Sequence, residues 1–424
     1  MSFLSKLARH ESLPPASVGA GELQAGASPP KADVLAELRA RIEATLGRAG
    51  RSSVRPATPP VDSVDLPFAT ELTPSGPLHV RFRRLSAAHR TGRAPVALAR
   101  EVDPELLALL ALDPCLARCD PSRALYLDTE TTGLSSGAGT VAFLVGLAWW
   151  DGQTLVLEQL LVRALGEEAP MLERVRERIA ASSMLVTFNG KSFDMPLLRT
   201  RFVMARVQAP AEPPHLDLVH VARRVHGKRI REGCRLVALE RRVLGFERSD
   251  DVESSDVSAC YLHFLRTGDA RAMLSVVEHN AWDVVAMAAL LGLYGEPMHA
   301  GVAADDLAGI ACVLQRAGAV ERAIAAADAA VERETTPVSL RARAEIARAR
   351  GDRARALADF EALAARVDDP SVRLRLAMIY EHWSREPGRA LALVARGTGE
   401  GPEATQRRRE RLAAKVDRQR RKRG

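Results

Sequence analysis

The sequence predicts an α/β domain, a mixed sheet flanked by helices, followed by an all-α helical-repeat region. Three observations carry that reading. Short apolar runs broken by turn residues recur between Ala69 and Phe188, as buried strands do. After Ala303 the composition shifts to alanine and arginine at helical spacing. The first 64 residues are rich in Pro, Ala, Ser and Gly, a composition that favours disorder. The expected divisions are 1–64 (mostly disordered, one short helix), 65–298 (sheet domain), 303–400 (helical repeats) and 401–424 (basic tail).

With 424 residues the chain has room for two or three cores. No apolar run reaches bilayer length, and the first ten residues lack the long apolar region of a signal peptide. A cytoplasmic protein without membrane contact is therefore expected. Five cysteines, an odd number, argue against a disulfide framework, and Cys115 and Cys119 have no second pair at zinc spacing. The net charge of +7 is concentrated: Arg407 to Arg423 holds ten Lys/Arg against two acids, so the remaining chain is nearly neutral.

In chain order, Ala32 to Leu46 has Val34, Leu35, Leu38, Ile42 and Leu46 at helical spacing. Ala69 to Arg84 reads as a hairpin turning at Pro74-Ser75-Gly76, and Glu105 to Leu112 as a short helix. Strands are expected at Ala124–Leu127, Val141–Trp150 and Thr154–Val162, the last two joined by an Asp151-Gly152 turn. A helix over Glu168–Ala181, a strand over Met184–Phe188, helices after Ser192 and over Cys234–Leu244, and a long helix over Ala270–Leu293 complete the domain. In the helix after Ser192, Phe193, Leu197 and Leu198 are expected to face the core.

Acids sit at three of these boundaries. Asp128 and Glu130 are two apart at a strand end, so both carboxylates leave on one face. Clustered carboxylates repel and lose solvation unless a hard, oxygen-seeking cation neutralises them, although a plain solvated strand end has the same sequence. Asp194 lies in the first turn of a helix, where a carboxylate is favoured with or without a metal. His279 and Asp283 are four apart and share a helix face.

Taken together, D-x-E (Asp128, Glu130), N-x-x-x-F-D (Asn189 to Asp194) and H-x-x-x-D (His279, Asp283) resemble the motifs of DEDD-type exonucleases of the ribonuclease-H-like superfamily. The stretches L-D-T-E-T-T-G-L, T-F-N-G-K-S-F-D-M-P-L-L and H-L-D-L-V-H are similar to its YprB-like branch, over about residues 65–295. The resemblance implies a ribonuclease-H-like fold and a two-metal 3′–5′ exonuclease acting on single-stranded DNA or RNA. It implies Mg²⁺ or Mn²⁺ ligands at Asp128, Glu130, Asp194 and Asp283, with His279 as general base. The three-residue gap between His279 and Asp283 is that of the tyrosine-type subclass. Asp217 reads as structural. Thr131, Leu134, Asn189, Lys191 and Ser192 are the expected nucleic-acid contacts, with Leu134 as a wedge against a terminal base. The loop after Asp251 departs from the branch and is expected to lie away from the metals. The alternative is a scaffold that holds nucleic acid without cutting it.

Ala323, Ala356 and Ala390 recur 33 and 34 residues apart in similar surroundings, which resembles tetratricopeptide repeats. Such repeats imply a groove for a protein partner, whereas a plain helical bundle would merely cap the sheet domain. The basic tail is open to two readings, attraction of phosphate backbones or a simple solvated helix end.

Overall fold

The structure, a computed structural model, describes residues 65–133, 139–249 and 251–423. The expected N-terminal disorder, the helix over Ala32–Leu46 and the wedge residue Leu134 lie outside the described residues.

Seven strands form one mixed sheet in the order β1-β2-β7-β6-β5-β8-β9. They are β1 (Ala69–Thr73), β2 (Gly76–Leu85), β5 (Ala124–Thr131), β6 (Ala142–Asp151), β7 (Thr154–Leu161), β8 (Met184–Thr187) and β9 (His215–Asp217). A two-stranded ribbon pairs β3 (Arg90–Thr91) with β4 (Ala94–Pro95). The meander is antiparallel, while β5–β8 and β8–β9 are parallel and need crossovers. These crossovers are α2 (Ala169–Ala181) and α3 (Asp194–Met204), which follow α1 (Pro104–Ala111). The two expected hairpins close as the turn residues require: Thr73 pairs with Gly76, and Asp151 with Thr154.

Three boundaries differ from the sequence expectation. β5 does not stop before the acids but continues through them to Thr131, because Asp128 to Thr131 pair with β6 up to a shift after Glu130. Over Cys234–Leu244 the expected helix narrows to α5 (Leu236–Leu239) plus a π turn, Glu240–Leu244. Leu197 and Leu198 face the core as expected, but Phe193 is 53% exposed, because α3 begins only after it.

Alternation along β5 separates the two faces. Leu125 and Leu127 enter the core beneath α2 and α3, whereas Ala124 and Tyr126 face the core of α7 (Arg271–Gly295). α4 (Leu218–Val225) and α6 (Val257–Thr267) complete the domain. α7 has the length and apolarity of a bilayer-spanning helix, yet 83% of its apolar window is buried in the protein, as in a core helix.

α7 approaches the sheet closely because β6 carries Gly146 beneath it. A Cβ there would collide with Asn280 and Val284. Gly146 also pairs with Asp128 on one side and Gln159 on the other. The vacated space admits Asn280, whose amide donates to Asp128 Oδ2 at 2.9 Å. The Gln159 amide donates to Asn280 Oδ1 at 3.0 Å and to the Val277 carbonyl at 2.7 Å, so this buried row is satisfied.

The helical region begins at α8 (Ala304–Arg316) and continues as α9 (Val320–Arg333), α10 (Pro337–Arg350), α11 (Arg353–Arg366), α12 (Pro370–His382), α13 (Pro387–Ala395) and α14 (Pro402–Arg423). Ala323, Ala356 and Ala390 are fully buried in α9, α11 and α13, where small side chains let helices approach. The region is fixed to the sheet domain by His226. Its buried ring meets Asp306 at 3.0 Å and the Tyr294 hydroxyl at 2.9 Å, and Arg229 joins Asp306 at 3.2 Å.

Gly146→Ala is expected to destabilise the protein by about 1–3 kcal/mol, the usual cost of overpacking a tight core. Chemical denaturation measures it. Gly152→Ala, in an open turn with φ +60°, is expected to cost less, because only backbone strain is at stake.

Candidate active site

β5 extends past β8. Its parallel pairing with β8 covers only Ala124 to Tyr126, so Asp128 to Thr131 border an open crevice. Ligands of open α/β sheets bind in crevices of this kind, beyond strand carboxyl ends. Here the cleft has a volume of about 350 Å³ and is lined by Asp128, Glu130, Thr131, Asn189, Phe193 and Asp194, among others.

Asp128 and Glu130 share the β5 face that meets α7. Thr129, between them, turns to the opposite side and donates its hydroxyl to Asp194 Oδ1 at 2.6 Å. Asp194 thus receives a hydrogen bond from the strand, and no side-chain cap bond is made at the start of α3. From α7, His279 and Asp283 reach the same place. His279 Nε2 lies 3.9 Å from Glu130 Oε1 and 3.6 Å from Asp283 Oδ2. Glu130, His279 and Asp283 each offer a ligand atom, all within 4.8 Å of one another, which suits a single cation. All five expected catalytic residues converge.

The electrostatics fit such a group. Burial, and then the charges of Asp283 and Asp194, push the Asp128 carboxyl well above its ordinary range. Burial and the charge of Asp128 do the same to Glu130. Asp194 is pushed up to about 6, chiefly by burial, against the Thr129 hydrogen bond. Carboxyls with raised pKa values in a cleft are unfavourable as anions until a cation joins them.

The nucleic-acid contacts divide. Thr131 and Asn189 line the cleft; Thr131 donates to the Gly133 carbonyl at 2.7 Å, and Asn189 adopts φ +68°. Lys191 and Ser192 are exposed in the adjoining loop rather than on the cleft wall. That loop is held by Asp217, which accepts from the backbone N–H of Asn189 (2.7 Å), Lys191 (3.0 Å) and Val219 (3.2 Å). The structural reading of Asp217 agrees with this geometry.

One expectation is reversed. The segment after Asp251 was placed away from the metals, yet Ser254 and Ser255 line the cleft and Asp251 Oδ1 lies 2.6 Å from His279 Nδ1. Nδ1 thus meets the Asp251 carboxylate, with the Arg248 guanidinium 3.2 Å from the same nitrogen, while Nε2 faces Glu130 and Asp283. Burial alone would lower the His279 pKa; the Asp251 hydrogen bond and the charge of Asp283 outweigh it and raise it.

Sequence reasoning also missed Arg248. Its side chain is 2% exposed, and the guanidinium bonds both Glu240 oxygens at 2.7 Å, Asp251 at 3.3 Å and Asp283 Oδ1. Holding Oδ1 leaves Oδ2 of Asp283 directed at His279 and Glu130. The π turn places Glu240 at the far end of the guanidinium, so the pair is matched in charge. Neither residue lies in a motif that the resemblance draws on; the only sequence signal is an arginine close to an acid in a loop.

Residues 125–294 match the model of the RNase_H superfamily. That match decides the fold. The sheet domain is ribonuclease-H-like, and the superfamily, commonly hydrolytic nucleases that use divalent metals, suggests nuclease-type activity for it. The uncharacterized protein YprB of Bacillus subtilis (strain 168) is 33% identical over 167 residues, 39% of this chain. The similarity spans 40% of that relative's length. Every acid of the cluster, with His279, Arg248 and Asp251, falls within the matched superfamily span.

Two outcomes follow. The raised Asp194 pKa, about 6 against 3.8 unfolded, means that the folded state holds its proton longer. Metal-free stability contributed there is present below pH 4 and lost as pH rises through about 6. Thermal melts with and without Mg²⁺ are therefore expected to differ little at pH 4.5 and by several degrees at pH 7.5. Arg248→Met, which strands Glu240 in the interior, is expected to cost about 3–5 kcal/mol by urea denaturation.

Proposed function

We propose that the protein is a metal-dependent 3′–5′ exonuclease that hydrolyses phosphodiester bonds of single-stranded DNA or RNA. One observation carries the reading: carboxylates from β5 and α3 line one cleft, and Asp283 of α7 joins them beside Glu130 with a hydrogen-bonded histidine. A scaffold has no need of that arrangement, because clustered like charges cost stability and hold phosphate no better.

In this reading Asp128, Glu130, Asp194 and Asp283 hold two divalent cations, Mg²⁺ or Mn²⁺, whose total charge they match. When bound, such ions supply Lewis-acid stabilisation of charge on the phosphate and ease deprotonation of the attacking water. His279 accepts the proton of that water at Nε2, with Nδ1 turned to Asp251. Arg248 orients Asp283, and Asn280 orients Asp128 from below.

Thr131 and Asn189 on the cleft wall, with Lys191 and Ser192 in the adjoining loop, contact phosphate and sugar; Leu134, outside the described residues, is assigned to the terminal base by the resemblance alone. Phe193, half exposed on the cleft wall, offers an aromatic face to a base. The helical pairs from α8 to α13, tetratricopeptide-like in their spacing, serve as a docking module for a protein partner.

The experiment is digestion of end-labelled single strands, DNA and RNA, each blocked at one end or the other. Mononucleotide release is expected only with Mg²⁺ or Mn²⁺ and only from a free 3′ end. Asp128→Asn is expected to lower the rate at least about 10³-fold, the scale of losing a principal electrostatic contact. Equal binding by wild type and variant with no cutting by either would make the protein a scaffold.

A further inference from the structure

The segment expected to be a basic tail forms α14, and it docks on the helical region rather than standing free. Leu412 is fully buried. Glu381, on α12, has a side chain without exposure and accepts from Arg411 at 2.7 Å and Lys415 at 2.7 Å. These contacts account for the docking. They do not account for the rest of the helix's charge.

Lys415, Arg418 and Lys422 are three and four residues apart, so they form one stripe on α14. That stripe faces Arg385, in the turn between α12 and α13, across a cleft of about 310 Å³. Among the described residues, Arg385, Arg418 and Lys422 pair with no acid, and all three are exposed. The acid at the floor, Glu381, is already paired with Arg408, Arg411 and Lys415. Cations near a helix C-terminus interact well with the helix dipole, which explains some excess of charge on α14. It does not explain Arg385, which belongs to another element.

Arg385 adopts φ +57°, a conformation costly for a residue with a Cβ. Its carbonyl is held by the Gln419 side-chain amide at 2.7 Å. α14 thereby fixes the very backbone that carries the opposing cation, and the cleft is built from both sides.

We propose that this cleft binds the phosphodiester backbone of single-stranded nucleic acid, as a second contact apart from the acidic active site. The occupant follows from charge: Arg418 and Lys422, one turn apart on α14, and Arg385 opposite them present three cations that no described acid neutralises, a match for successive phosphates. The proposal rests on the nuclease reading only for the identity of the polyanion. Without divalent cations the carboxylate cluster repels phosphate, so binding in EDTA reports the basic surface and not the active site.

Fluorescence anisotropy of a labelled 20-nucleotide strand, with the full chain in EDTA over a series of salt concentrations, is the test. The cleft variant combines Arg385→Asn, Arg418→Gln and Lys422→Gln; asparagine tolerates the left-handed backbone and glutamine the helix. A charge-matched control combines Arg409→Gln, Arg420→Gln and Arg421→Gln, which lie on α14 but not on the cleft. None of the six side chains makes an ion pair with a described residue, so melting temperatures are expected to stay near that of the wild type.

The cleft variant is expected to bind about tenfold more weakly, with the salt slope reduced by about 2, against at most a twofold change in the control. Equal losses in both variants would mean diffuse attraction and would overturn the proposal, as would no loss in the cleft variant. Competition by poly-glutamate as effective as that by unlabelled oligonucleotide would replace nucleic acid with an acidic polypeptide as the occupant. A wild type that binds through the cleft but does not cut single strands sinks the exonuclease reading and leaves the cleft standing.

Discussion

Mutual repulsion among buried carboxylates is the constraint on which this structure turns. Asp128, Glu130, Asp194 and Asp283 come from three separate elements; Asp283 and Asp194 raise the cost of ionising Asp128, and those two with Asp128 raise that of Glu130. Nothing in ordinary packing favours such a gathering. The surrounding residues reduce the cost without removing it: Asn280 donates to Asp128, Thr129 to Asp194, and Arg248 to Asp283. Because Arg248 is itself matched by Glu240, it does not neutralise the cluster. What remains is a site that calls for cations.

That site exists because one helix lies unusually close to the sheet. Gly146, between Asp128 and Gln159 in the ladder, leaves the space that Asn280 fills, and one turn of α7 carries both His279 and Asp283 to the β5 end. The apolar length of α7 is spent inside the core, where it faces sheet, ribbon and helices at once. Its charged residues, with Asn280 and Tyr294, lie where they meet partners. Position and chemistry are thus coupled through a single glycine and the register of β6.

Much of this was legible in the sequence because the motifs sit where backbone geometry is simple. Two acids two apart on a strand must share a face, and His279 and Asp283 must share a side of a helix. The hairpin turns at Ser75 and Gly152 were readable for the same reason. Arg248 and Asp251 were not, because they lie in a loop whose path depends on tertiary contacts with α7 rather than on local propensity. Phe193 was misplaced since the start of α3 could not be set to a single residue from pattern alone. β9 is three residues long, too short for periodicity to mark, and it exists because β8 offers it an edge.

The central claim is that the cluster is a paired-cation site. Crystals soaked in Mn²⁺ and measured at the manganese absorption edge test it most directly. The account predicts two anomalous peaks about 3.5–4 Å apart, bounded by Asp128, Glu130, Asp194 and Asp283. No peak in that cleft at saturating Mn²⁺, with Arg248 still bonded to Asp283, would contradict it.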